Sequence, residues 1–286
     1  MGAARDIIIA GLLLGGIYAL IAAGLSLQYG VARVLNVAHG EFIMIGAFIT
    51  WWMFTNVSFD PIISIVITGP VTFILGLLLY RFVFRKIMVD SPTIEAFEGK
   101  SMLAAFGMLY VFQNLARWIW GSNTYAYTYM ATSVTSARIP LNRLVALAVV
   151  VVLATAFYFF LSHTRLGKAI RASALDPTTA GLVGVNVYRV LAICFGLGLA
   201  MAGVAGSLLS ILYSVNTSMG LGYTVIALIV VVLGGLGSIQ GALIGGILLG
   251  LMSSLVSYYQ PSMTMIAYYV VFILLLLIRP KGIMGK

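Results

Sequence analysis

Charged side chains are scarce in this sequence, at 8% of 286 residues, with 7 acids against 16 bases. The mean hydropathy is +1.11, and a water-soluble domain of that composition would have to cover itself with apolar surface. The chain therefore reads as a membrane protein. At about 20 residues per transmembrane helix it has room for roughly eight or nine spans and none for a soluble catalytic domain.

Histidine is nearly absent too. His39 and His163 lie on segments too different for a bis-histidine haem site. The single cysteine, Cys194, sits in an apolar run as a small buried hydrophobe and says nothing about redox compartment. Apart from Asp6 and Glu41 the acids fall in loops or at their edges (Asp60, Asp90, Glu95, Glu98, Asp176), which speaks against an ion-coupled carrier. A phosphate loop is missing: Gly99-Lys100-Ser101 lacks the earlier glycine, position 94 being Ile94. The run GGLGSIQG from Gly234 departs from the dinucleotide fingerprint by one residue after Gly237. Its Ser238 has no glycine two residues before it, so it is no nucleophile elbow either. No enzyme, resident cofactor or metal site is expected.

What is present is apolar runs at about 7–29, 42–56, 61–84, 101–121, 143–162, 188–212, 222–236, 241–259 and 263–278. Together they make an all-α polytopic membrane protein, one transmembrane domain over 1–286, with the first span uncleaved. The second and seventh runs are short, as broken or re-entrant helices are, and such breaks tend to line a solute path. Basic residues cluster after the first run (Arg33), after the third (Arg81, Arg85, Lys86), between the fifth and sixth (Arg165, Lys168, Arg171, Arg189) and at the end (Arg279, Lys281, Lys286). The formal charge of +9 is thus in clusters that suit positive-inside orientation, not on a continuous nucleic-acid face. That orientation puts the N-terminus outside, 122–142 (with Arg138) external, and the C-terminus in the cytoplasm. Glycines at four-residue spacing, among them Gly11 and Gly15, Gly237, Gly241 and Gly245, and Gly246 and Gly250, predict close helix packing.

Two polar stretches stand out. The first is VLNVAHGEF, 34–42, placed by the sequence at a break between the first span and a short second helix, on or below the cytoplasmic side of the bilayer. A charge at the bilayer centre costs about 2.5–3.5 kcal/mol, so Glu41 avoids lipid. Two readings are open. Asn36 and Glu41 cap a re-entrant turn, or Asn36, His39 and Glu41 present polar groups to a passing solute or a gate. Gln28, Gln113, Asn114, Ser238 and Gln240 are further polar residues near or within spans, each more readily read as an interhelical hydrogen bond than as a lumen residue. The second stretch, 163–189, predicts two short helices. One runs over roughly 166–175 with Lys168 and Arg171 on neighbouring turns; the other is capped by Asp176 with Pro177 at its first position. By residue chemistry it lies equally well in a groove of a soluble partner or flat on anionic headgroups.

Three segments, GLSLQYGVARVLNVAHGEFIMIGAF (24–48), RASALDPTTAGLVGVNVYRV (171–190) and VVLGGLGSIQGALIGG (231–246), resemble in order the membrane permease subunits of bacterial ABC importers for branched-chain amino acids. The resemblance implies a permease half in the inner membrane, paired with a second related permease subunit. Two cytoplasmic ATPase subunits would bind and hydrolyse ATP, and a periplasmic binding protein would deliver the solute. It implies a path or gate at Asn36, His39, Glu41 and Gln28 with Gly234, Gly235, Ser238 and Gln240, and ATPase coupling at Lys168, Arg171, Asp176, Pro177, Thr178 and Gly184. One departure is visible: where the coupling motif of ABC importers carries Glu-Ala-Ala before a glycine, this chain has Thr178, Thr179 and Ala180 before Gly184. The scaffold also serves urea, short amides and other small organic solutes, so the residues do not choose leucine. A self-sufficient channel or secondary transporter is the competing class.

Overall fold

A computed structural model describes residues 2–130, 132, 140–279 and 281–284, so Arg138, Lys286 and most of the middle of the 122–142 connection lie outside the described residues. The helices are α1 (Gly2–Ala32), α2 (His39–Val57), α3 (Pro61–Leu79), α4 (Arg85–Val89), α5 (Ile94–Trp120), α6 (Leu141–His163), α7 (Arg165–Leu175), α8 (Pro177–Leu182), α9 (Val187–Leu212), α10 (Met219–Gly234), α11 (Ile239–Tyr259) and α12 (Thr264–Ile278). A single wide turn, Tyr80–Phe84, joins α3 to α4. Every apolar run expected from the sequence is a helix, and among the described residues six helices are long and apolar enough to cross a membrane. The runs outside that set are α2 and α5, which carry polar residues inside helical length, and the short α10.

The bundle is built from an inverted repeat. α1, a six-residue link and α2 have a counterpart in α9, a six-residue link and α10. Both links fold alike, with Asn36 Oδ1 accepting from the Ala38 N–H at 3.1 Å and Asn216 Oδ1 from the Ser218 N–H at 3.0 Å. The Asn36 and Asn216 carbonyls then accept from the His39 and Met219 N–H groups that start the short helices. α1 packs along α11, and its counterpart α9 packs along α3. Where α1 crosses α9, a Cβ on Gly24 would strike the Gly198 carbonyl and one on Gly198 the Gly24 carbonyl, each at 2.6 Å. That contact runs backbone on backbone, as small residues permit in membranes. The expected glycine packing is present: a Cβ on Gly15 would meet Ile247, and one on Gly246 would meet Ala19.

The two Asx turns carry a prediction. Asn36→Ala and Asn216→Ala each remove the side-chain acceptor of the turn that leads into a short helix, a loss of about 1 kcal/mol. Each therefore lowers the thermal-inactivation midpoint of the detergent-purified chain, measured by retained monodispersity. An unchanged midpoint in both variants contradicts the turn assignment.

Candidate functional site

The sequence expectation for 34–42 is corrected in depth. His39 Nε2 lies 3.1 Å from the Ile21 carbonyl, about 16 Å back along α1 from its end at Ala32. Arg33, at φ 53, reverses the chain, and the link climbs back into the bundle. It can stay there because its polar backbone is paired and because Val37 and Ala38 pack against Ala105 and Leu109 of α5. α2 therefore starts deep in the bundle. The link 213–218 re-enters from the opposite end and α10 starts beside α2, so the first turns of the two short helices lie side by side.

Their contact is close. The Gly40 N–H donates to Thr224 Oγ1 at 2.9 Å, and Thr224 Oγ1 donates to the Val37 carbonyl at 3.1 Å. A Cβ on Gly40 would collide with the Gly220 carbonyl, and one on Gly220 with the Glu41 carboxylate. Glu41 is fully buried, with neither carboxylate oxygen hydrogen-bonded among the described residues. The charge that reaches it is that of Arg117 on α5, and Phe112 of α5 packs edge-on against Phe42.

These contacts divide the two readings of the stretch residue by residue. Asn36 is a turn former whose Oδ1 is spoken for. Glu41 sits in the first turn of α2, where the helix dipole favours a negative charge, yet it bonds no backbone N–H. Capping accounts for Asn36 and leaves Glu41 over. His39 ties the start of α2 to α1 through one ring nitrogen, while Nδ1 has no partner within the chain. Gln28 joins α1 to α9 through Nε2 to the Phe195 carbonyl at 3.1 Å.

The other expected pathway residues lie elsewhere. Gly234 and Gly235 form the turn at the far end of α10, with Gly235 at φ 103. There the Ile283 and Met284 N–H groups donate to the Leu233 and Gly234 carbonyls. Ser238 caps α11 by accepting from the Gly241 N–H at 3.0 Å, and exposed Gln240 lines a cavity beside α1 and α6. The structure thus keeps Asn36, His39 and Glu41 together at the start of α2, puts Gln28 at the contact of α1 with α9, and sets the glycine-rich turn apart from them. It adds Thr224, Gly220 and Arg117, which single-residue inspection missed. The visible signal was the repeat of Asn and Gly at the same spacing, Asn36 and Gly40 against Asn216 and Gly220.

Beyond the basic end of the bundle, α7 and α8 form the two short helices expected. Asp176 accepts from the Thr178 N–H at 2.8 Å and from the Thr179 hydroxyl, which holds its carboxyl below the usual carboxylate range. Lys168, Arg171, Asp176, Pro177, Thr178 and Gly184 are all exposed. So are two apolar side chains that sequence reasoning passed over, Leu182 at 84% and Val183 at 75%.

Comparisons with known proteins bear on this geometry. A family model described as branched-chain amino acid transport system / permease component matches residues 7–278. The high-affinity branched-chain amino acid transport system permease protein LivH of Escherichia coli K12 is 33% identical over 289 residues, covering 96% of this chain and 94% of LivH. BraD of Pseudomonas aeruginosa, a permease protein of the same description, is 30% identical over 294 residues, with the same two coverages of 96% and 94%. A solved structure, PsaBC from Streptococcus pneumoniae in complex with Fab, has a similar fold, with a TM-score of 0.50 and 12% identity over 98% of this chain and 93% of that one.

Proposed function

The chain belongs to the branched-chain amino acid transport permease family, and we propose that it is the membrane-spanning half of an ABC importer that moves branched-chain or related hydrophobic amino acids. It works as a transporter component and not as an enzyme. In this reading the whole chain is one permease domain of a bacterial inner membrane. The end bearing Arg33, Arg85, Lys168 and Arg189 is cytoplasmic, the N-terminus outside and the C-terminus inside, as the positive-inside rule favours. A second related permease subunit completes the path, two ATPase subunits bind and hydrolyse ATP, and a periplasmic binding protein delivers the solute.

One observation carries the proposal: two inverted half-helices, α2 and α10, cross deep inside the bundle with an acid, Glu41, buried at their contact. Broken helices meeting at mid-depth between inverted repeats are where transporters place solute. The crossing as it stands is a closed gate. The Gly40 N–H, a donor suited to a solute carboxylate, is occupied by Thr224 Oγ1, and Glu41 offers a counter-charge for an ammonium. Opening requires α2 and α10 to slide on their small-residue faces. The turn from α10 into α11, with Gly234 and Gly235 closing one helix and Ser238 and Gln240 opening the next, forms the hinge for that movement. Gln113 and Asn114 support a partner permease on α5: they lie about 10 Å inside its end, half-buried and exposed respectively, where a polar side chain needs protein or water beside it.

Coupling to ATP hydrolysis falls to α7 and α8 with Lys168, Arg171, Asp176, Pro177, Thr178 and Gly184. The exposed Leu182 and Val183 favour a groove on a soluble partner as their resting place. The test is purification of the chain with its neighbours. An ATPase subunit is expected to co-purify, and uptake is expected to require ATP; failure of both returns the chain to the channel or secondary-transporter class.

A further inference from the structure

A second polar constellation lies outside the gate. A cavity of about 650 Å³ opens between the last turns of α1, the end of α6, α7 and the start of α11. That is within the size range of small-molecule sites. On α6 its lining runs from Ala154 to Ser162, about 12 Å along the helix axis, so its floor lies at a depth that membrane-spanning residues occupy. The floor is apolar, with Phe157, Leu161 and Leu243 among its residues, while the mouth carries Arg33 and Arg171, both exposed.

Three details make this more than a crevice. Among the described residues no Asp or Glu lines it, so the cavity walls supply the two guanidinium groups with no carboxylate side chain. Each is positioned by the backbone: Arg33 by the reversal at the end of α1, and Arg171 by donating from Nη2 to the Ser162 carbonyl at 3.4 Å. Ser26, fully buried, lines the interior with a hydroxyl that has no partner in the chain.

We propose that this cavity is a binding site for an anionic phospholipid, its phosphate held between Arg33 and Arg171 and its upper acyl chain lying over Phe157, Leu161 and Leu243. Basic pockets between membrane helices take such headgroups. A soluble anion would use the mouth and leave the apolar floor bare, and a soluble protein would have to enter bilayer depth to fill it. The depth of the floor favours a lipid over both. The site goes beyond the transport reading, which gives Ser238 and Gln240 a part in the hinge, since both also line the cavity and would lie beside the lipid. It is tested on binding alone, so its failure leaves that reading untouched.

The test uses the full chain in detergent micelles, exchanged against phosphatidylglycerol or phosphatidylcholine and read by native mass spectrometry. The expected result is one retained phosphatidylglycerol. With about fivefold for each arginine, the preference over phosphatidylcholine is roughly 25-fold. Arg33→Asn, chosen because asparagine tolerates the left-handed backbone, lowers that preference roughly fivefold. Leu243→Trp fills the floor and removes retention of both lipids while leaving both charges. Equal retention of the two lipids by the unaltered chain, or unchanged retention in both variants, overturns the proposal. So does displacement of phosphatidylglycerol by an equal concentration of glycerol 3-phosphate, which identifies a free phosphate ester as the ligand.

Discussion

Gly220→Leu in the first turn of α10 abolishes uptake by the reconstituted transporter, or prevents the chain from assembling. A side chain there would enter the volume of the Glu41 carboxylate, while the Gly220 carbonyl is already pressed against Gly40. Overpacking a fitted interior costs about 1–3 kcal/mol or more. Here the obstructing group is the Glu41 carboxylate, the end of a side chain that is itself fully buried and has little room to turn aside. A penalty at the upper end of that range is about two decades in any equilibrium the gate must pass through. Gly222→Leu is the control, because a Cβ at Gly222 meets nothing within 4 Å, and it leaves uptake within about twofold, as substitutions clear of such features do. Uptake by Gly220→Leu equal to that of Gly222→Leu contradicts the crossing of α2 and α10.

Leu182→Asp together with Val183→Asp releases the ATPase subunits while leaving the permease inserted and monodisperse. Both side chains project from the end of α8 almost fully exposed, so the fold loses no packing when they change. Burying a leucine or a valine at an interface gains about 1.5–3 kcal/mol each. The double variant forfeits that gain and also forces two carboxylates to be desolvated, so co-purified ATPase falls by roughly a hundredfold or more. If ATPase remains bound while the variant's affinity for anionic vesicles drops, α8 lies on the membrane surface and the docking assignment is wrong. The absence of a Glu at Thr178 gives this apolar pair added weight. A coupling loop without its carboxylate must find its affinity elsewhere, and Leu182 and Val183, like Leu175 at the end of α7, are exposed groups able to supply it.

Much of this was legible in the residues. Hydropathy alone placed all nine apolar runs, because a membrane helix must bury a continuous length of apolar side chain. The cap at Asp176 and the four-residue glycine spacing are local signals that packing had no reason to override. Depth was not legible. Six residues between α1 and α2 are compatible with a turn at the membrane surface or a climb back into the bundle. The choice is made by contacts remote in sequence, His39 to Ile21 and Gly40 to Thr224. The same limit put Gly234, Gly235, Ser238 and Gln240 in one set with Glu41. Polar and small residues mark where helices break, and only the fold says which breaks meet.

Asn36 shows how a residue can be singled out correctly for a local reason. Its side chain builds the turn, and Asn216 repeats it on the other half. Glu41 is the converse, since no local rule requires an acid with both oxygens unbonded in a buried first turn, and function is what remains to account for it.

The most direct test of the transport account is flux into proteoliposomes. Reconstituted with its partner permease, the two ATPase subunits and the binding protein, the chain is expected to accumulate labelled leucine only when ATP is supplied to the ATPase side, and liposomes holding the chain alone are expected to show none. Leucine entry through the chain alone, without ATP, would contradict it.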